Sequence, residues 1–216
     1  MQDKLQTMLK LQDEMNRQVH KHWDTQGFAW YRAIWIEASE MLEHYGWKWW
    51  KHQQPDLAQV KLEVIDIVHF CLSMEMEKGG PLDEIARSIS ADFASPESTD
   101  EIRTTIELLA LETLKNKQAH FSIIAGLMRH LDMDFDELYG KYVGKNMLNM
   151  FRQDHGYKQG DYVKIWHGRE DNEHLEDIFG RLDVDSESYR DDIYQALSEV
   201  YKTVKHPITS DYSPDQ

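Results

Sequence analysis

The sequence predicts an all-α fold, a helical bundle. Three observations carry this. Apolar residues recur at helical spacing in segment after segment. Strand-like alternation is almost absent, and glycine and proline clusters punctuate the periodic segments. Residues 2–22 read as an amphipathic helix with Leu5, Met8, Leu9, Met15 and Val19 near one face. A second helix, 28–45, ends near Gly46, with Trp35, Ile36, Ala38, Met41 and Leu42 as expected core residues. The aromatic turn GWKWWKHQQPD follows, and Pro55 opens a third helix over about 56–77, closed by Gly79-Gly80-Pro81. A short helix over 81–91 leads to the linker ADFASPESTD, where Ser98 or Thr99 is the expected cap of a helix running to about 115. Helices over 118–131 and 134–154 come next, then the glycine-punctuated loop GYKQGDYVKIWHG with room for a short hairpin. Two helices, 171–180 and 186–204, precede a polar tail.

The 216 residues fit one domain, or one domain with a smaller mobile lobe. Net charge is -15 and the isoelectric point near 5.1, a balance that opposes nonspecific nucleic-acid binding. The single cysteine, Cys71, excludes an internal disulfide and a cysteine-rich zinc site. Nothing reads as a signal peptide or an 18-residue apolar run, so no membrane association and a cytoplasmic location are expected.

Glu37 and Glu40 lie three residues apart in WIEASEML, and Glu63 and Asp66 repeat that spacing in EVIDIVHF. A spacing of three keeps both acids of a pair on one helix face. Two such pairs on consecutive, otherwise apolar helices form a four-carboxylate constellation. Burying ionised carboxylates without a partner is very unfavourable. A divalent cation resolves the conflict, and an all-oxygen donor set favours Mg²⁺, or Mn²⁺ as a substitute. Solvated acidic stripes paired with lysines remain the alternative. A di-iron site fits less well: Asp66 and His69 supply one acid-x-x-His, whereas di-iron bundles use one on each of two helices.

Residues 141–169 reverse the charge. Lys141, Lys145, Arg152, Lys158, Lys164 and Arg169 face only Asp154 and Asp161, six against two, or +4. Such a local reversal suits an anionic partner. Lys145, Asn149 and Arg152 are spaced to share one helix face. A solvated basic face balancing acidic neighbours is the competing reading. Nucleic acid is not the expected anion, because the island is small and the remaining surface repels a polyanion. A nucleoside triphosphate with magnesium fits both halves: acids for the metal, bases for the phosphates.

These motifs, with LKLQDEMN, EASEML before WKWWK, EVIDIVHF and the block GKNMLNMFRQDHGYKQGDYVKIWHGREDN, resemble the dimeric all-α dUTPases over about residues 5–200. The resemblance implies hydrolysis of dUTP, and of dUDP, to dUMP by a homodimer, with attack at the β-phosphorus and pyrophosphate leaving from dUTP. It implies that Glu37, Glu40, Glu63 and Asp66 ligate magnesium, with Glu40 or Glu37 acting on the attacking water. Gln12 and Asn16 match the amides on the uracil side, Trp47 an aromatic near the base, and His69 and Phe70 the deoxyribose wall. Lys145, Asn149, Arg152, Tyr157, Lys158, Lys164 and Asn172 match the phosphate and sugar residues of the closing lobe. On this reading, core helices occupy about 1–80 and 116–155, a variable mobile segment 81–115, and a phosphate-binding loop 156–172. A related pyrophosphatase preferring another base, such as dCTP-cleaving or MazG-like enzymes, and a noncatalytic acidic binding protein are the alternatives.

Overall fold

The computed structural model describes residues 1–184 and 186–205; the expected polar tail lies outside the described residues. Nine α-helices are described: α1 (Gln2–Val19), α2 (Trp30–Tyr45), α3 (Leu57–Glu77), α4 (Leu82–Phe93), α5 (Ile102–Asn116), α6 (Phe121–His130), α7 (Phe135–Asp154), α8 (Asp171–Phe179) and α9 (Tyr189–Lys205). Among the described residues the β structure is one antiparallel hairpin, β1 (Ile165–Trp166) and β2 (Arg169–Glu170), paired Ile165 to Glu170 and Trp166 to Arg169. It lies inside the loop where the sequence leaves room for one.

Helix α3 is the axis of the bundle. Its residues Val60, Val64, Ile65, Ile67, Val68, Cys71 and Leu72 are all buried, because helices pack against it on several sides. Helix α2 lies along it with Ile34, Ala38 and Met41 on the buried face. These positions are four and three residues apart, so one stripe is consumed by packing. The neighbouring stripe does not reach the core: Trp35 and Ile36, expected inside, are 38% and 44% exposed. A helix packed on one side buries one stripe, and WIEASEML holds more apolar residues than that stripe can take.

The caps follow side-chain chemistry. Asp56 caps α3, accepting from the Gln59 N–H at 3.2 Å, and Asp134 caps α7, accepting from Glu137 N–H at 2.8 Å. Helix α5 starts later than the sequence suggests. Its cap is Glu101, which accepts from Thr104 N–H at 3.2 Å, while the Thr99 hydroxyl is taken up by Glu101 and Thr105. The preceding chain is held elsewhere: Glu97 N–H donates to Ser122 O at 2.9 Å, against the start of α6. Helices α4 and α5 contribute Ile89, Phe93, Ile102, Ile106 and Leu109 to the core.

Gly126 permits that approach. A Cβ there would stand 2.0 Å from the Glu97 carbonyl oxygen, a backbone atom that cannot swing aside. Replacing a helical glycine with alanine normally stabilises by about 1 kcal/mol. Here Gly126→Ala should destabilise by about 1–3 kcal/mol through overpacking. Urea denaturation measures it; a gain in stability would mean that the 94–98 segment moves freely.

Candidate active site

Glu37 on α2 and Glu63 and Asp66 on α3 converge: one carboxylate oxygen from each lies within 4.8 Å of the others. They open on a cavity of about 530 Å³ that Glu40 also lines. Glu63 is only 4% exposed, and its Oε2 is buried without a hydrogen-bond partner. His44, one turn beyond Glu40, brings Nε2 to 3.6 Å from Glu63 Oε1. The donor set is hard oxygen, the oxygens are close enough to share one small cation, and one is orphaned, so the residues fit a divalent cation.

Without such a cation the cluster resolves its repulsion by protonation. Burial and then the Asp66 charge push the Glu63 carboxyl up to about 9. Burial and then Asp66 also raise Glu37. The Lys145 ammonium opposes both shifts.

The opposite wall carries the cations. Lys145, 2% exposed on α7, places Nζ 2.7 Å from Asp66 Oδ2 and donates to Asn172 Oδ1 at 2.8 Å. Arg152, two turns along, grips Asp171 through two N–H···O bonds of 2.8 Å and donates to Asn149 Oδ1 at 3.2 Å. Tyr162 O–H donates to the same Asp171 at 2.7 Å, and this arginine partner keeps the buried Asp171 below the ordinary carboxylate range despite burial. Lys164 pairs with Glu170 at 2.9 Å. The excess positive charge of residues 141–169 is thus met by the acids that follow it: Glu170, Asp171, Glu176 and Asp177. The basic face is thus balanced by acidic neighbours, while Lys145, Arg152 and Lys164 still line the cavity.

A second, mainly apolar cavity of about 210 Å³ adjoins the first, and Asp66 borders both. Gln12, Asn16, His69, Phe70 and Asn149 line it, with Trp23, Phe28 and Trp30 completing an aromatic wall. Its polar side is a buried network. Gln12 Oε1 accepts from Tyr142 O–H at 2.8 Å and stands 2.6 Å from His69 Nδ1. Gln12 Nε2 donates to Asn16 Oδ1 at 2.9 Å, and Asn16 Nδ2 donates to Ser73 Oγ at 2.9 Å. Each amide retains one further N–H by its donor inventory. Burial pushes His69 down to about 4, so its ring is neutral; Nδ1 faces an acceptor, and Nε2 is buried without a partner.

Of the candidate residues, Glu37, Glu40, Glu63, Asp66, Lys145, Arg152, Tyr157, Lys164 and Asn172 meet in the larger cavity. The smaller one gathers Gln12, Asn16, His69, Phe70 and Asn149. Trp47 lies apart from both, in a hollow with Trp49, Lys51 and Arg103. Lys158 lines neither and donates to Val19 O at 3.1 Å. The structure adds His44, Asp56, Gln59, Glu170 and Glu173 to the larger cavity. His44 was discoverable, since Glu37, Glu40 and His44 share one face at i, i+3 and i+7.

An all-α scaffold that sets an acidic cluster across a cavity from paired cations, beside an apolar chamber with buried amides, defines a class of site suited to an anionic ligand with an apolar end. Residues 4–157 match the profile of the dUTPase family, and the chain belongs to that family, in its all-α form. Family membership makes it a hydrolase acting on dUTP. The matched span covers both acidic pairs and Arg152 and stops before the hairpin and α8. No curated protein matches the chain. Among the described residues, no helix is long and apolar enough to cross a membrane.

The raised Glu63 pKa sets a pH dependence in the metal-free protein. Between its ordinary 4.5 and about 9, folded protein holds a proton that the unfolded chain has lost, so stability falls as pH rises through that window. Glu63→Gln mimics the protonated form. It should be more stable than metal-free wild type at pH 8 by about 1 kcal/mol or more, with the gap closing toward pH 5. Identical thermal-melt profiles for the two proteins would show that folding does not raise the Glu63 pKa.

Proposed function

We propose that the protein hydrolyses dUTP, and dUDP, to dUMP in a magnesium-dependent reaction that releases pyrophosphate from dUTP. The observation that carries this reading is the joining of the two cavities at Asp66: oxygen ligands and cations on one side, aromatic rings and amides on the other. A polyphosphate fits the first and a pyrimidine nucleoside the second.

Glu37, Glu63 and Asp66, with Glu40 at the same cavity, would hold the cation. When bound, Mg²⁺ would lower the pKa of a water and draw charge from phosphate oxygens. Glu40, exposed at the cavity and outside the tight cluster, would orient that water or take its proton, with Glu37 as the other candidate. Lys145, Arg152, Lys164 and Tyr157 O–H would meet the phosphates and oppose charge as the leaving group departs. Asn172 already bridges Lys145 and Arg152, and so keeps their donors on one side. In the second cavity the Asn16 amide can both donate and accept, which suits the carbonyls and N3–H of uracil. The Trp30, Phe28 and Phe70 rings supply the face on which a base would lie. Trp47 would need movement of its turn, or a second copy of the chain, to approach a base.

A homodimer belongs to the same reading. Trp35 and Ile36 on α2 and Leu111 and Leu114 on α5 are the exposed apolar side chains it would cover. Sedimentation equilibrium should give twice 25.6 kDa at micromolar protein; a monomer mass throughout would remove the dimer.

Glu40→Gln and Glu37→Gln should each lower dUTP turnover by about 100-fold or more while thermal melting is retained. Pyrophosphate release from a nucleotide panel, with and without Mg²⁺, tests the substrate. Faster turnover of dCTP than dUTP would overturn the base assignment, and turnover of no nucleotide would leave a noncatalytic binding protein.

A further inference from the structure

The cation nearest the acidic cluster is paired with the cluster itself. Lys145 Nζ sits 2.7 Å from Asp66 Oδ2, on one of the three residues whose oxygens converge, and the lysine is 2% exposed. Its other bond goes to the neutral Asn172 Oδ1 at 2.8 Å. The ammonium therefore has one charged partner, and that partner is a candidate metal ligand. Three carboxylates against one buried ammonium leave the cluster short of positive charge.

From this geometry we propose that Lys145 is the resident counter-cation of the acidic cluster, competing with the divalent cation for Asp66 and passing to a phosphate oxygen once the cation has taken that carboxylate. The inference rests on reading Glu37, Glu63 and Asp66 as a cation site. On that reading the two cations meet at one carboxylate. A cation bound to Asp66 at the usual oxygen distance of about 2.1–2.6 Å would lie within a few ångströms of an ammonium bonded to the same carboxylate. Like charges so close, shielded from water, repel strongly. The lysine has somewhere to go. It lines the 530 Å³ cavity alongside Arg152, Tyr157 and Lys164, where a polyphosphate would offer it a new anion. Lys145 is thus a positioning residue for the metal as well as a contact for the substrate. It lowers metal affinity when no nucleotide is present and removes that penalty when one is. By linkage, metal and phosphate then each favour the other.

The test uses Mn²⁺ alone, with no nucleotide, titrated into the full chain and followed by the loss of free-ion electron paramagnetic resonance signal. Lys145→Met should bind Mn²⁺ about tenfold or more tightly than wild type, because a repelling charge is gone. Asp66→Asn should bind far more weakly than wild type. Equal or weaker binding by Lys145→Met, with wild type still well above Asp66→Asn, would overturn the inference alone. Equally negligible binding by wild type, Asp66→Asn and Lys145→Met would overturn the cation site and the inference with it. If Lys145→Met does not fold, wild type carrying ¹³C-labelled lysine answers the same question. Mg²⁺ alone should shift the Lys145 ε-methylene resonance as its Asp66 partner is lost, and an unmoved resonance overturns the inference.

Discussion

The crowding of Glu37, Glu63 and Asp66 is the constraint on which the rest of the structure turns. At 4.8 Å two ionised carboxylates repel by roughly 3 kcal/mol at an effective dielectric constant of about 20. The acids cannot relax apart, because Ala38, Met41, Val64 and Ile67 around them are locked in the core. Packing of α2 against α3 imposes the proximity, and the cluster answers by keeping a proton on Glu63 and an ammonium on Asp66. A divalent cation would do the same work without a proton and with better geometry. Helix packing thus strains the site electrostatically, and a multivalent cation is the kind of ligand that would relieve that strain.

Much of this was legible from residue spacing. Each helix fell where its apolar period placed it, within a few residues at the ends, because a helix that packs on a core must repeat near 3.6. The acidic pairs were visible because two charges inside an apolar stripe contradict burial. Trp35 and Ile36 misled for the same reason in reverse: hydrophobicity marks what can be buried, whereas the number of packing neighbours decides what is. The α5 cap moved to Glu101 because the Glu97–Ser122 contact, between residues 25 positions apart, outweighed local capping preference.

The cavities themselves were less legible. Asp56 and Gln59 come from the start of α3, Glu170 from the hairpin beyond α7 and Glu173 from α8, so only tertiary contact brings them to Glu37. The basic island overstated its free charge because its window ended at Arg169, just before the acids that neutralise it. Asp171 is the clearest case. In sequence it is one acid among several, and in space it is fully buried between Arg152 and Tyr162, fixing where the guanidinium points. Pairings across such distances leave no periodic trace.

Asp66 borders both cavities, and His69, one turn further along α3, borders only the smaller. One helical turn rises about 5.4 Å. Whatever occupies both chambers must bend over that single turn, so α3 acts as a gauge of molecular length. A ligand whose charged end joins its apolar end through a short linker can engage both chambers together. One with a much longer linker must leave a chamber empty or lift off the helix. Under the proposed function, reach alone would then discriminate among ligands, independently of any hydrogen bond to a base.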